Sequence, residues 1–135
     1  MTKQHIESDH QIALIKWMRS AAQYYPQLKL LHSSLNGVRM SMSRARIAKA
    51  EGMLSGIPDL FLPVPMLNID TGKWQHGLYI EMKKPKTASS GKGTVSPKQK
   101  VIIEQLRAVG YQVDICYGWQ EAKACILRYV GIEND

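Results

Sequence analysis

The run Gly56-Ile57-Pro58-Asp59-Leu60-Phe61-Leu62, answered by Leu78-Tyr79-Ile80-Glu81-Met82-Lys83, decides how this chain is read. In the first run Leu60, Leu62 and Val64 alternate with Asp59, Phe61 and Pro63. In the second, Leu78, Ile80 and Met82 alternate with Tyr79, Glu81 and Lys83. A period of two predicts strands, each with one apolar face. Asp59 opens the first strand, and Glu81 and Lys83 close the second. Antiparallel pairing would set those two ends side by side. It would also leave Glu81 and Lys83 on one face, about 7 Å apart along the strand. Two carboxylates beside a lysine at a strand end suit a hard, oxygen-preferring cation and a phosphate. The same residue types also suit a merely solvated strand face, so the elements around them carry the decision.

The chain has 135 residues, 44% of them hydrophobic and 21% charged, which fits one globular domain over residues 1–135 with a real core. Lys and Arg outnumber Asp and Glu by 18 to 11, for a formal net charge of +7. That balance fits a polyanionic partner such as nucleic acid. Cys116 and Cys125 fall among apolar neighbours in a predicted strand and a predicted helix. They read as buried, reduced thiols of a reducing compartment. No apolar run is long enough for a membrane span and the N-terminal residues have no secretory apolar region, so an intracellular protein with no membrane partner is expected.

Ile6, His10, Ala13, Leu14, Trp17 and Ala21 recur at helical spacing and predict a helix over residues 4–23. Glu7, Gln11, Leu14 and Met18 form an adjacent stripe, from which Glu7 could look into a site beside the core. In a second reading Ser8 is the N-cap and Gln11 closes a capping box, with Glu7 just outside the helix. Lys29 to Ser33 predicts a short strand, ended by the turn pair Asn36-Gly37. Residues 40–54 predict a basic helix, with Ala45, Ala48 and Gly52 on a small-residue face. Arg39, Arg44, Arg46 and Lys49 point elsewhere, either simply solvated or meeting phosphates.

Pro63, Pro65, Asp70-Thr71-Gly72 and Gly77 punctuate a long connection with a small hairpin of its own, carrying Trp74 and His76 near the tip. After Lys83 the stretch from Lys84 to Thr94 is rich in Gly and Ser and carries Lys84, Lys86 and Lys92. It reads as a mobile loop, and it lacks the spacing of a phosphate-binding P-loop. Ser96-Pro97-Lys98-Gln99 starts a helix, with Ser96 as N-cap, Pro97 at the first turn and Gln99 closing a capping box. Gln99 also faces the same region as the loop after Lys83. Gly110 ends this helix. A last strand through Val113, Ile115 and Tyr117 precedes a final helix that turns Ala122, Cys125, Ile126, Tyr129 and Val130 inward. The predicted order is α-β-α-β-β-α-β-α, without internal repeat.

With residues 40–54 set aside as an insertion, this order resembles the core of the PD-(D/E)xK nucleases. Within that superfamily the chain is similar to the virus-type replication-repair nuclease family, the VRR-NUC domains. The residues that carry the likeness are Glu7, Asn36-Gly37 with Arg39, Gly56-Ile57-Pro58-Asp59-Leu60, Glu81-Met82-Lys83-Lys84-Pro85 and Ser96-Pro97-Lys98-Gln99. Gly110-Tyr111 and Tyr117-Gly118-Trp119 add to it. The resemblance implies an α/β, restriction-endonuclease-like fold, a mixed four-stranded sheet flanked by helices. It implies a Mg2+- or Mn2+-dependent DNA endonuclease without an organic cofactor. Asp59 and Glu81 would hold the metal, with the Met82 carbonyl as a further ligand and Glu7 completing the site directly or through water. Asp9 would take the place of Glu7 in a shifted helix register. Lys83 would serve the attacking water, and Gln99 would position Lys83 or that water. Arg39, Arg44, Arg46, Lys84, Lys86, Lys92 and Lys98 would meet the DNA backbone. Small members of the family are similar to Holliday-junction resolvases and occur in phages, which implies branched DNA; a homodimer is expected because closed two-fold dimers are the commonest assemblies and would present two sites to a four-way junction. The alternatives are a nucleic-acid-binding domain with the fold but no hydrolysis, and a monomeric flap or single-strand nuclease. A basic scaffold protein is the third, and it gives the charged strand end no purpose.

Overall fold

A computed structural model of the chain describes residues 3–36 and 38–132. Helix α1 spans Lys3–Ala21 and is followed by a 3-10 turn over Pro26–Leu30 and strand β1, His32–Ser33. Helix α2 covers Met42–Ala50, and β2 covers Leu60–Leu62. A hairpin of β3, Met66–Asn68, and β4, Lys73–Gln75, leads into β5, Leu78–Lys83. Helix α3, Pro97–Ala108, strand β6, Gln112–Tyr117, and helix α4, Trp119–Tyr129, complete the order. The main sheet runs β1-β2-β5-β6, and β3 and β4 form a separate two-stranded sheet. Three pairings set the main sheet: β1 with β2 and β2 with β5 are antiparallel, and β5 with β6 is parallel. It is therefore the mixed four-stranded sheet expected.

The two faces of this sheet have different coverings. Leu60, Leu62, Leu78, Ile80 and Met82 point to one side and pack with Leu14 and Met18 of α1 and with Ala122, Cys125, Ile126 and Tyr129 of α4. These are the apolar halves of the two alternating runs, and burying such side chains is worth about 1.5–3 kcal/mol each. On the opposite side α3 packs against β6, burying Ile103 and Val113. Because both faces of β5 are covered near its end, Glu81, Met82 and Lys83 are all buried although only Met82 is apolar.

Several local expectations change. The predicted strand over residues 29–33 keeps only His32 and Ser33, since Pro26 opens a 3-10 turn that takes up Lys29 and Leu30. The predicted helix over residues 40–54 is shorter, capped by Ser41 through the Arg44 amide and closed at Ala50, with none of its residues buried. Helix α1 already runs through Ser8, so Ser8 is not its N-cap. Of the predicted Asn36-Gly37 turn, Gly37 lies outside the described residues. The Asn36 side chain donates to the Ile57 carbonyl at 3.0 Å and so braces the approach to Asp59.

The loop after Lys83 is tied to itself more closely than its composition predicts. The Gly93 amide donates to the Lys84 carbonyl, Thr87 bridges Ser90, and the Lys84 ammonium donates to Ser90 Oγ and the Gly91 carbonyl.

Gly56 shows why the organising stretch begins with glycine. Its φ is +86°, and a Cβ there would stand 3.1 Å from Lys98 Cγ, 3.2 Å from the Lys98 carbonyl oxygen and 3.3 Å from Ile102 Cγ1. Gly72 also has a positive φ, +71°, but opens on free space. Both alanine substitutions strain the backbone, and only the one at Gly56 also crowds the start of α3. Gly56→Ala is expected to lower unfolding free energy by about 2–4 kcal/mol and Gly72→Ala by about 1–2 kcal/mol, measured by urea denaturation.

Candidate active site

The site forms where β2 begins and β5 ends. Leu60 pairs with Ile80 in the antiparallel register, so the next position outward sets Asp59 across from Glu81. One oxygen of Asp59 is held in place, Oδ2 accepting the Met82 amide at 2.8 Å. Its backbone is held from the other side, where the Asp59 carbonyl accepts the Ser34 amide. The Met82 side chain lies in the core, so only its backbone is available to a ligand.

Glu81 is the most constrained group. It is 2% exposed, and its Oε2 is buried with no hydrogen-bond partner. Its Oε1 accepts Gln99 Nε2 at 3.3 Å and stands 3.8 Å from Lys83 Nζ. Burial pushes the Glu81 carboxyl up to about 9, helped by the neighbouring Asp59 carboxyl and by the charge of Glu7. Lys83 pulls the other way and does not compensate. A buried carboxylate facing two others and one ammonium has lost more hydration than that single partner restores.

Glu7 comes to the same place from α1. Its Oε1 is buried and without a hydrogen-bond partner, whereas Asp9 is exposed on another side of the helix. Between the two acids, Glu7 is the one turned inward. Among the described residues no three His, Cys, Asp or Glu side chains stand close enough to enclose a metal ion by themselves. Two buried carboxyl oxygens without a hydrogen-bond partner are nonetheless atoms that a cation would satisfy.

Gln99 joins the start of α3 to this cluster. Its Oε1 accepts the Ser96 amide at 2.9 Å, closing the capping box, and also accepts Lys83 Nζ at 3.0 Å. With Nε2 on Glu81, one amide group caps the helix, seats the lysine and touches the acid. The capping motif is legible in sequence, and a role beside Lys83 is implied by the family resemblance. That one oxygen serves both is decided by where α3 docks.

His10, read in sequence only as part of the first helix's inward stripe, has a further role. Helix α4 starts at Gly118, which has no side chain with which to cap it. His10 Nδ1 accepts the Trp119 amide at 3.0 Å in its place. A Cβ on Gly118 would stand 3.5 Å from the imidazole and from Pro85, in ordinary contact with both. The bond to Trp119 ties α1, and with it Glu7, to the end of β5, since the Gly118 amide donates to the Lys83 carbonyl. No local spacing signals a cap supplied from more than a hundred residues away.

The basic residues divide. Arg39, Arg44, Arg46, Lys86 and Lys98 are exposed. Arg44 stands 4.0 Å from Glu51 in an exposed pair worth little. Lys92, also exposed, rests its ammonium 4.5 Å from the centre of the Tyr117 ring, and Tyr117 pairs with Lys83 across β5 and β6. Lys84 is the exception, being 8% exposed and engaged by its own loop. Its ammonium closes a turn and is not presented to a partner.

The model of the VRR-NUC domain matches residues 7–120, a span that runs from Glu7 through the start of α4. A solved structure described as a VRR_NUC domain protein superposes with a TM-score of 0.68 at 25% sequence identity, covering 95% of this chain and 90% of that one. Among curated proteins no match is found. With the family match extending over Glu7, Asp59, Glu81, Lys83 and Gln99 alike, this chain belongs to the VRR-NUC family, a nuclease-type domain with the PD-(D/E)xK fold.

Proposed function

We propose that the domain is a Mg2+- or Mn2+-dependent DNA endonuclease that hydrolyses phosphodiester bonds at the Asp59–Glu81–Lys83 site. The observation that carries this reading is the pair of buried, partnerless oxygens, Glu81 Oε2 and Glu7 Oε1, beside a lysine whose ammonium is fixed by Gln99. A fold that only bound nucleic acid would gain nothing from burying unpaired carboxylates. Asp59 and Glu81 would hold the metal, with the Met82 carbonyl and Glu7 filling further positions directly or through water. The bound cation would supply charge neutralisation at the phosphate and a more acidic water.

The remaining chemistry belongs to the chain's own side chains. Asp59 is oriented before any ligand arrives, because the Met82 amide already holds one of its oxygens. Lys83 Nζ spends one N–H on Gln99 Oε1, and its other donors can hold the attacking water or a phosphate oxygen as negative charge develops there. Gln99 fixes the position of that ammonium and keeps it beside Glu81. The exposed cations Arg39, Arg44, Arg46, Lys86, Lys92 and Lys98 would supply phosphate contacts for affinity.

We further propose that the substrate is branched DNA and the working unit a homodimer. An exposed apolar face supports self-association. Leu67 pairs with Trp74 across the β3–β4 hairpin, they are 44% and 61% exposed, and Ile69 beside them is 87% exposed. Two-fold dimers are the commonest closed assemblies, and two copies would present two sites to a four-way junction. Trp17 and Trp119 are less available, both being partly buried against the core.

Asp59→Ala and Glu81→Ala should abolish cleavage of junction DNA in Mg2+ or Mn2+ while changing DNA affinity by less than about threefold, since affinity comes mainly from cations. Wild-type cleavage by either variant at matched metal concentration would remove the site assignment.

Glu81→Gln should do something further in chelator. A carboxyl whose folded value is about 9 and whose ordinary value is 4.5 binds more protons folded than unfolded between those limits. Its contribution to stability is therefore full below about 4.5 and is lost as pH rises toward 9. Removing the ionisable group should raise stability at pH 8 by about 1–3 kcal/mol in the metal-free protein, measured by thermal unfolding, and much less at pH 4. An unchanged melting temperature at pH 8 would mean that Glu81 is not strained by its neighbours.

Lys83→Ala should lose most turnover, about 100-fold or more, and Lys83→Arg should not restore it. The guanidinium is planar and larger than the ammonium seated between Gln99 and Glu81. Single-turnover cleavage of a labelled junction reads both variants. For the assembly, sedimentation at micromolar concentration should give twice the chain mass, and Trp74→Glu should give the monomer.

A further inference from the structure

The charged site occupies only the end of the sheet face on which it stands. Two residues back along each strand, the same face carries aromatic rings. Phe61 follows Asp59 at that spacing on β2, and Tyr79 precedes Glu81 at that spacing on β5. Their rings stack at 4.2 Å with an interplanar angle of 21°. Tyr111, just before β6, stands edge-on to both, at 5.4 Å from Tyr79 and 5.9 Å from Phe61. His32 of β1 meets Phe61 at 5.8 Å, and His76 meets Tyr111 at 5.7 Å. The result is a row of five rings across the sheet, from β1 to the turn before β6.

This row is not part of the main core, which takes the opposite faces of β2 and β5. Phe61, Tyr79 and Tyr111 are half-buried and the two imidazoles that end the row are exposed. Both imidazoles are held. His32 Nδ1 donates to the Leu30 carbonyl at 2.9 Å, which leaves Nε2 free. The ring of His76 lies so close over Gly110 that a Cβ there would come within 2.6 Å of it. Rings already fixed by one another, and exposed at both ends of the row, let a planar, apolar ligand stack without ordering the protein first.

We propose that this row is a stacking platform for unpaired nucleobases of the strand whose phosphate lies at Asp59, Glu81 and Lys83. The proposal rests on the reading that the domain acts on nucleic acid, and it names the feature of the substrate that the domain recognises. Continuity with the site selects this occupant. The platform begins about 7 Å along the strands from the acids, roughly two steps of about 3.4 Å along one strand of a duplex. A chain carrying a net charge of +7 supplies the electrostatic attraction, and stacking on aromatic rings accepts any base. Paired bases inside a duplex do not offer their faces, so the platform favours DNA with unpaired nucleotides next to the cut, as at a flap or an open branch point. Base-edge contacts are not required, which agrees with selection by shape and not by sequence.

The test uses the wild-type protein in chelator, so that binding is read without cleavage. A thymidine oligonucleotide carrying one 5-iodouracil is irradiated in the complex, and crosslinks, which form where the base stacks on a ring, are mapped by mass spectrometry. Crosslinks to the peptides bearing His76, Tyr79 or Tyr111 are expected. His32→Ala and His76→Ala, both changes at exposed rings, are each expected to weaken single-strand binding about fivefold or more and to shift blunt duplex binding less than twofold. Tyr79→Leu serves as a third variant once its unfolding curve shows a folded protein.

Crosslinks that map only elsewhere, or equal losses for single strand and duplex, would overturn the platform and leave the nuclease reading standing if Mg2+-dependent cleavage is seen. Crosslinks on the platform in a protein that cleaves nothing would uphold the platform and remove the nuclease reading.

Discussion

Three carboxyl groups and one lysine gathered at the end of β5 repel more than they attract, and much of the surrounding structure acts to keep them there. Glu81 cannot turn to solvent, because Leu78, Ile80 and Met82 hold the strand in the core and β2 and β6 hold it on both sides. Asp59 cannot swing away, because the Met82 amide bonds its carboxylate and Ser34 bonds its carbonyl. The cost is local and the support is distributed. Such an arrangement is expected where the folded state is shaped for a ligand and not for its own stability.

The helices act on this end of the sheet in different ways. Helix α3 brings Gln99, whose capping bond to the Ser96 amide fixes the side chain before it meets Lys83 and Glu81. Its placement depends on the close approach of Gly56 to Lys98 and Ile102, so the turn that delivers Asp59 also docks the helix that delivers Gln99. Helix α1 brings Glu7 and is pinned by His10 to the start of α4. Helix α2 takes no part in this packing and has no buried residue, which leaves its arginines and Lys49 exposed to a partner.

The two ends of one sheet face divide the chemistry. Near the strand ends, charged groups with incomplete hydrogen bonding suit a cation and a phosphate. One turn of the pleat away, rings in mutual contact suit a base. Each pair of neighbours along β2 and β5, Asp59 with Phe61 and Glu81 with Tyr79, contributes one group to each part.

The sequence by itself determined the alternation of β2 and β5, the capping box of α3, the glycine that ends it and the apolar stripe of α4. Each of these is a local pattern, set by the period of the backbone or by a side chain bonding its own turn. The family likeness rested on such local motifs read in order, and with them the acid pair and the lysine were legible. Tertiary structure alone decided which of Glu7 and Asp9 turns inward, since helix register is fixed by what α1 packs against. It decided that Lys84 bonds its own loop, that Gln99 Oε1 serves two donors, and that His10 caps a helix it does not belong to. It also reduced the predicted strand over residues 29–33 to two residues. The row from His32 to His76 draws on four separated segments, and no spacing in the chain announces it. Burial, pairing and ring contact arise between residues distant in sequence, and only the packed fold gives them neighbours.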